Sequence, residues 1–62
     1  MKVEKQEYYS VSDWNIIDIW GSGSTEEEAI SDYHNNLLKY KDKLLDKIKY
    51  IEQIEKEIKE IR

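Results

Sequence analysis

The chain has 62 residues and no cysteine, which makes one domain near the size at which a single core barely outweighs chain entropy, with no disulfide or Cys/His metal site to reinforce it. Its net charge of -4 is uneven: residues 1–20 carry -2, residues 21–36 carry -4 and residues 37–62 carry +2, and an acidic head argues against a general nucleic-acid-binding domain, whose affinity comes mainly from neutralising phosphates. No stretch approaches the roughly 18 consecutive apolar residues of a membrane span, and the opening "MKVEKQEYY" lacks the apolar core of a signal peptide, so the expected location is the cytoplasm. Nine lysines, nine isoleucines and five tyrosines with no proline or phenylalanine suggest an AT-rich coding source such as a low-GC bacterium or its phage.

Taken in chain order, residues 2–20 read as a β-hairpin. In "KVEKQEYYSV", Val3, Tyr9 and Val11 alternate with polar residues, "WNIIDIW" is rich in β-branched and aromatic residues, and "SVSDWN" between them holds the Ser and Asp of a turn. Strict alternation places Trp14, Ile16 and Trp20 on one face of the second strand and Ile17 and Ile19 on the other. Both faces would then carry apolar side chains. One helix covers one face, so the other is expected to meet a second subunit or a partner.

Residues 21–24 read as a turn and residues 25–62 as one long helix. Ser24 and Thr25 each have a glutamate three residues on, a double opportunity for a capping box, with Thr25 the expected N-cap; the acids of the first turn suit the positive end of the helix dipole. No Gly or Pro follows, and Lys59 and Arg62 favour a C-terminus. "HNN" at 34–36 is the weak spot, where a break is an alternative. Such a helix would be roughly 55 Å long against strands of roughly 27 Å, so the hairpin covers only half of it. Ala29, Ile30, Tyr33 and Leu37 form a stripe for the sheet. Beyond it, Leu37, Leu44, Leu45, Ile48, Ile51, Ile54, Ile58 and Ile61 approach a heptad pattern, interrupted at Lys47, that demands a neighbouring helix. The fold class expected is thus α+β, a ββα protomer that oligomerises as a dimer to tetramer through a short coiled coil or helical bundle.

Candidate sites are few. "GSGST" at a helix start could present N–H groups to an anion, but Glu26 stands where a third glycine would be needed, no Walker lysine follows and three glutamates would repel phosphate; turn plus cap is the better reading. His34 is the only histidine and lacks the partners of a metal site or a nucleophile–base pair. No catalytic residues, metal or cofactor are expected. Tyr8, Tyr9, Trp14 and Trp20 lie on a hairpin too small to bury them all, and Tyr33 and Tyr40 sit seven apart on the helix, so these aromatics divide between core and interface. Tyr8, Tyr9, Trp14 and Trp20, with the acids Glu26, Glu27 and Glu28, are the candidate partner-binding residues. Lys39, Lys41, Lys43 and Lys47 are a candidate anion site.

With those residues in view, "YYSVSDWNIIDIWGSGSTEEEAISDYHNNLLKY" (8–40) resembles the strand, strand, Gly-x-(Gly)-x-Thr-x-Glu-Glu-Ala, helix arrangement of HicB-like antitoxin domains, through Gly21, Gly23, Thr25, Glu27 or Glu28, Ala29 and Ile30. The resemblance implies a partial RNase H-like ββ(β)α module that blocks another protein and has no catalytic residues of its own. Two departures stand out: a further strand of that fold is not evident, and a long helix replaces any ribbon-helix-helix or helix-turn-helix DNA-binding appendage. Stand-alone domains of this cut-down form look like small phage or mobile-element proteins, some of which oppose host defences. The expected function is therefore a non-enzymatic homo-oligomeric inhibitor of a host or toxin protein. The alternatives are an oligomeric sponge for a small anionic ligand such as a nucleotide, and a structural coiled-coil adaptor.

Overall fold

The computed structural model describes residues 1–61; the helix end expected at Arg62 lies outside the described residues. The chain runs β1 (Lys2–Lys5), β2 (Tyr9–Asp13), β3 (Ile16–Gly23), α1 (Glu26–Tyr40), two 3-10 turns at Lys41–Lys43 and Leu45–Lys47, and α2 (Ile48–Ile61). The three strands form an antiparallel sheet in the order β1-β2-β3. The first extended segment is thus two strands, paired from Lys2 with Ser12 to Lys5 with Tyr9, where the sequence reads as one. No helix among the described residues is long and apolar enough to cross a membrane.

The turn between β2 and β3 falls where the Ser and Asp residues predict it. Asp13 Oδ1 accepts a hydrogen bond of 2.9 Å from the Asn15 amide, an Asx turn that reverses the chain at Trp14–Asn15. Strict alternation along β3 does not hold. Asp13 pairs with Ile16 but Val11 pairs with Gly21, so β3 carries three more residues than β2 over this stretch. An odd surplus flips the facing of side chains, and Ile16 and Ile19 are both buried while Ile17 and Trp20 are exposed. The strand residues that alternate with buried Val11 and Gly21 include Ser10, Ser12 and Ser22, with the exposed Trp20 beside Ser22.

Residues 21–23 are not a turn. "GSG" continues β3, pairing Gly21 with Val11 and Gly23 with Tyr9, and no glycine among the described residues has positive φ. The glycines are there for proximity. A Cβ on Gly21 would sit 2.6 Å from Tyr33 Cα, and one on Gly23 would sit 2.6 Å from the Ala29 amide nitrogen, so α1 lies with its backbone almost on the strand. Helix α1 begins as expected: Thr25 is the N-cap, with extended torsions (φ -127°, ψ 161°), and its Oγ1 accepts from the Glu28 amide at 3.1 Å. Glu28 Oε2 accepts from the Ser24 hydroxyl at 2.7 Å and the Ser24 amide at 3.1 Å. Those bonds, the hydroxyl's foremost, hold the Glu28 carboxyl below its usual range. Ala29, Ile30, Tyr33 and Leu37 are buried against the sheet, the stripe read from the sequence.

The long helix does not form. His34–Asn36 lies within α1, and the chain breaks later, where Tyr40 (φ -102°, ψ 2°) and Leu44 (φ -118°, ψ 49°) leave the helical region. Helix α2 folds back, and Ile51, Ile54 and Ile58 are buried in the same cluster as Val11, Ile16, Ile19, Tyr33 and Leu37. Leu37, Ile51, Ile54 and Ile58, expected to join separate chains, therefore lie in the core of one chain. Leu44 and Ile48 are half-buried, and Leu45 and Ile61 are exposed. Magnitudes explain the outcome. Burying three isoleucines is worth about 1.5–3 kcal/mol each, against about 0.5–1.5 kcal/mol for each helical hydrogen bond lost at the bend, some of which 3-10 bonds replace: Leu44 donates to the Lys41 carbonyl and Lys47 to the Leu44 carbonyl.

Polar ties hold α2 in place. The Met1 ammonium lies 2.7 Å from Asp13 Oδ2 and 3.1 Å from Glu57 Oε2, bridging β2 to α2. Lys41 Nζ meets Glu55 Oε1 at 2.9 Å, and His34 Nε2 is 3.7 Å from the other Glu55 oxygen. Nearby, the Tyr33 hydroxyl is buried without a hydrogen-bond partner; burial, and then the charges of Asp13 and Glu57, push it well above the usual phenol range. Burial opposes both charges of the Met1–Asp13 pair. Their mutual bonds outweigh it, keeping the amine above its ordinary 8.0 and, with help from Asn15, the carboxyl below its ordinary 3.8.

Two predictions follow from this packing. Gly21→Ala should cost about 1–3 kcal/mol through overpacking, read as a lower urea midpoint with an unchanged slope; equal stability would show that α1 can retreat from β3 freely. The Met1–Asp13 pair should make stability bell-shaped in pH. Asp13, with its folded pKa depressed, stabilises fully above 3.8 and less as pH falls through its folded value; the amine, with its folded pKa raised, stabilises fully below 8.0 and less as pH rises through its folded value. Asp13→Asn should flatten both limbs in chemical denaturation across pH.

Candidate partner-binding surface

The β2–β3 turn and the bulge after it create the most exposed apolar surface of the chain. Trp14 is 80% exposed and Ile17 77%; they border a shallow depression with Lys2, Ser12 and Asp13. The Lys2 ammonium stands 5.0 Å from the Trp14 ring centroid and 2.8 Å from Glu4, so the ring already carries a cation on one face. Trp20, 64% exposed, lies further along β3. Beside it, a groove of about 510 Å³ opens between β3 and the end of α1, with Ile19 and Leu44 among its apolar lining, Trp20 and Tyr40 its aromatic lining, and Asp18, Asp32, Asn36 and Lys43 as its polar groups.

The outer edge of β3 is closed to a further strand at this groove. Asn36 donates to the Trp20 carbonyl at 2.8 Å, and Asp32 accepts from the Ser22 amide at 3.0 Å. One helical turn apart on α1, these two side chains occupy one N–H and one C=O through which an added strand would pair. Lys47 likewise donates to the Asn15 carbonyl at 3.1 Å. Recognition at this edge falls to side chains.

The expected partner-binding residues separate. Tyr9 pairs opposite Gly23, so Tyr8 and the exposed Glu26, Glu27 and Glu28 gather near one end of the sheet, whereas Trp14 follows Asp13 at the other end of β2, about 14 Å away by strand rise. Trp20 lies between. Tyr9 itself is half-buried against the core, and of the helical aromatics Tyr33 is core while Tyr40 lines the groove. Asp18, Asp32 and Asn36 are not among the candidate partner-binding residues of the sequence, where Asn36 stands out only in the alternative of a helix break at 34–36; Ile17 falls on an apolar strand face but is not named with the aromatics.

The four lysines divide, two of them at Tyr40. Lys41 pairs with Glu55 and Lys47 with Asn15, while Lys39 and Lys43 stand 5.4 and 5.7 Å from the Tyr40 centroid. Comparison with protein-family models, with curated proteins and with solved structures finds no match for the chain.

The Asp32 contact is testable directly. Asp32→Ala should speed hydrogen exchange of the Ser22 amide by about tenfold or more, in line with about 1.5–3 kcal/mol for a hydrogen bond to a charged group, and leave the Val11 amide slow. Unchanged exchange at Ser22 would mean that α1 does not guard this edge.

Proposed function

We propose that the chain is a small non-enzymatic protein-binding module, an antitoxin-like or phage-encoded inhibitor that blocks a partner protein in the bacterial cytoplasm. One observation carries the reading: Trp14, Ile17 and Trp20 stand exposed on β3 and its turn, while the core is filled without them. Exposed tryptophans beside charged residues are the side chains that anchor protein interfaces. A three-stranded meander leading through Gly21, Gly23 and a Thr25 cap into a helix is compatible with the ββ(β)α arrangement that the HicB-like resemblance implies.

The groove favours a basic partner. Trp20 and Tyr40 offer ring faces, Asp18 and Asp32 offer carboxylates, and such a combination receives a guanidinium or ammonium group. Lys39 and Lys43 already stand over Tyr40. The same two aspartates oppose the anionic-ligand alternative, of whose lysines Lys41 and Lys47 are engaged with Glu55 and Asn15 while Lys43 lines the groove and Lys39 stands over Tyr40. The coiled-coil adaptor loses its seam to the core of the protomer.

The test is capture of bacterial proteins on the immobilised chain, identified by mass spectrometry. Trp14→Ala and Trp20→Ala should each weaken capture of the main partner by about tenfold or more, the loss typical of an interface anchor, and Asp18→Lys should weaken it further at low salt, with far-UV circular dichroism unchanged. A partner held equally by all three variants would refute this surface.

A further inference from the structure

Independently of what the exposed aromatics bind, we propose that α2 is exchangeable between two copies of the chain, and that straightening the segment Lys41–Lys47 converts the closed protomer into a domain-swapped dimer. The bend is held by few torsions. Tyr40 and Leu44 leave helical space, whereas Lys41 (φ -54°, ψ -43°) and Ile48 (φ -56°, ψ -36°) are already helical. The segment "KDKLLDK" contains no Gly or Pro, so nothing covalent forbids one helix from Glu26 to Ile61. That helix would bring Leu37, Leu44, Ile51 and Ile58 into one stripe at sevenfold spacing.

Opening alone would expose Ile51, Ile54 and Ile58, which are buried at 2% exposure or less, and empty the site they fill. A second copy of the chain offers the same site. In an exchanged pair the α2 of each copy takes the closed position on the other, so the isoleucine burial and the bonds of Glu55 to Lys41 and Glu57 to the Met1 ammonium re-form between chains. The swap then costs little beyond association entropy.

Two leucines say where the copies would touch besides. Leu38, in the last turn of α1, and Leu45, within the bend, are 51% and 69% exposed and lie outside the buried core of the closed protomer. Seven residues apart, they share one face of the straightened helix. When two such helices cross antiparallel at the bend, Leu38 of one copy meets Leu45 of the other and both pairs are buried. The closed protomer leaves this surface to water; the exchanged dimer uses it.

The experiment mixes nitrogen-14 and nitrogen-15 chains, unfolds and refolds them together from micromolar to millimolar concentration, and couples adjacent amines and carboxylates with a carbodiimide. The expected result is a species of twofold mass whose share rises with concentration, and within it Lys41–Glu55 cross-linked peptides of which half join light to heavy chains. A monomer mass at every concentration, or a dimer whose Lys41–Glu55 links never mix isotopes, would overturn the proposal. Leu45→Pro fits the first position of a 3-10 turn but not a helix interior, and it should abolish the dimer while the monomer keeps its melting curve. Leu38→Ser with Leu45→Ser should reduce the dimer without touching the core. Dimer at the original level in both variants would count against the straightened bend.

Discussion

The near-contact of α1 with β3 governs the rest of the molecule. Because Gly21 and Gly23 present no side chain, the backbone of α1 at Ala29 and Tyr33 settles directly on the strand. At that depth the four apolar residues of α1 reach the sheet with nothing between, and Tyr33 is driven fully into the core with its hydroxyl. The same closeness lets Asp32 and Asn36 reach over the strand edge to Ser22 and Trp20. Close packing, edge protection and the position of the groove are thus consequences of two missing Cβ atoms.

A chain of this size has little core to spare, which explains why α2 returns. Without Ile51, Ile54 and Ile58 the buried cluster would consist of one helix on a short sheet, and the end of the sheet near Val11 and Ile16 would lie open. Folding back adds three isoleucines and lets the ion pairs of Glu55 and Glu57 cross from α2 to the first 3-10 turn and to Met1. The bend uses residues with ordinary helical preference, so it is a product of burial rather than of local signals. That is also why it can be undone when a second copy provides the same burial.

Function, on this reading, sits where the fold leaves surplus. The core is built from aliphatic residues and Tyr33, and the tryptophans remain outside on the strand and turn that the bulge reshapes. Exposed Trp14, Ile17 and Trp20 are costly to keep wet unless a partner covers them. The acids at the start of α1 and around the groove bias that partner toward positive charge.

Local chemistry was legible in the residues. The Asp13 turn, the Thr25 cap with its glutamate, the α1 stripe and the apolar face of α2 all depend on spacing within a few positions, which sequence displays directly. Four outcomes were not: the division of the first extended segment into β1 and β2, the continuation of β3 through Gly21–Gly23, the three-residue bulge that sends Ile16 and Ile19 to the same side, and the bend that turns one expected helix into two. The bulge and the bend are settled by which distant surfaces become buried. A heptad-like stripe of leucines and isoleucines specifies only that it must be covered, and the covering surface, whether its own sheet or another chain, is chosen by tertiary geometry. So the sequence alone determined the turn, the helix cap and the apolar stripes of the helical segments, while only the tertiary structure decided the division into three strands and two helices and that α2 closes on its own protomer, because burial free energy is indifferent to where along the chain its two surfaces come from.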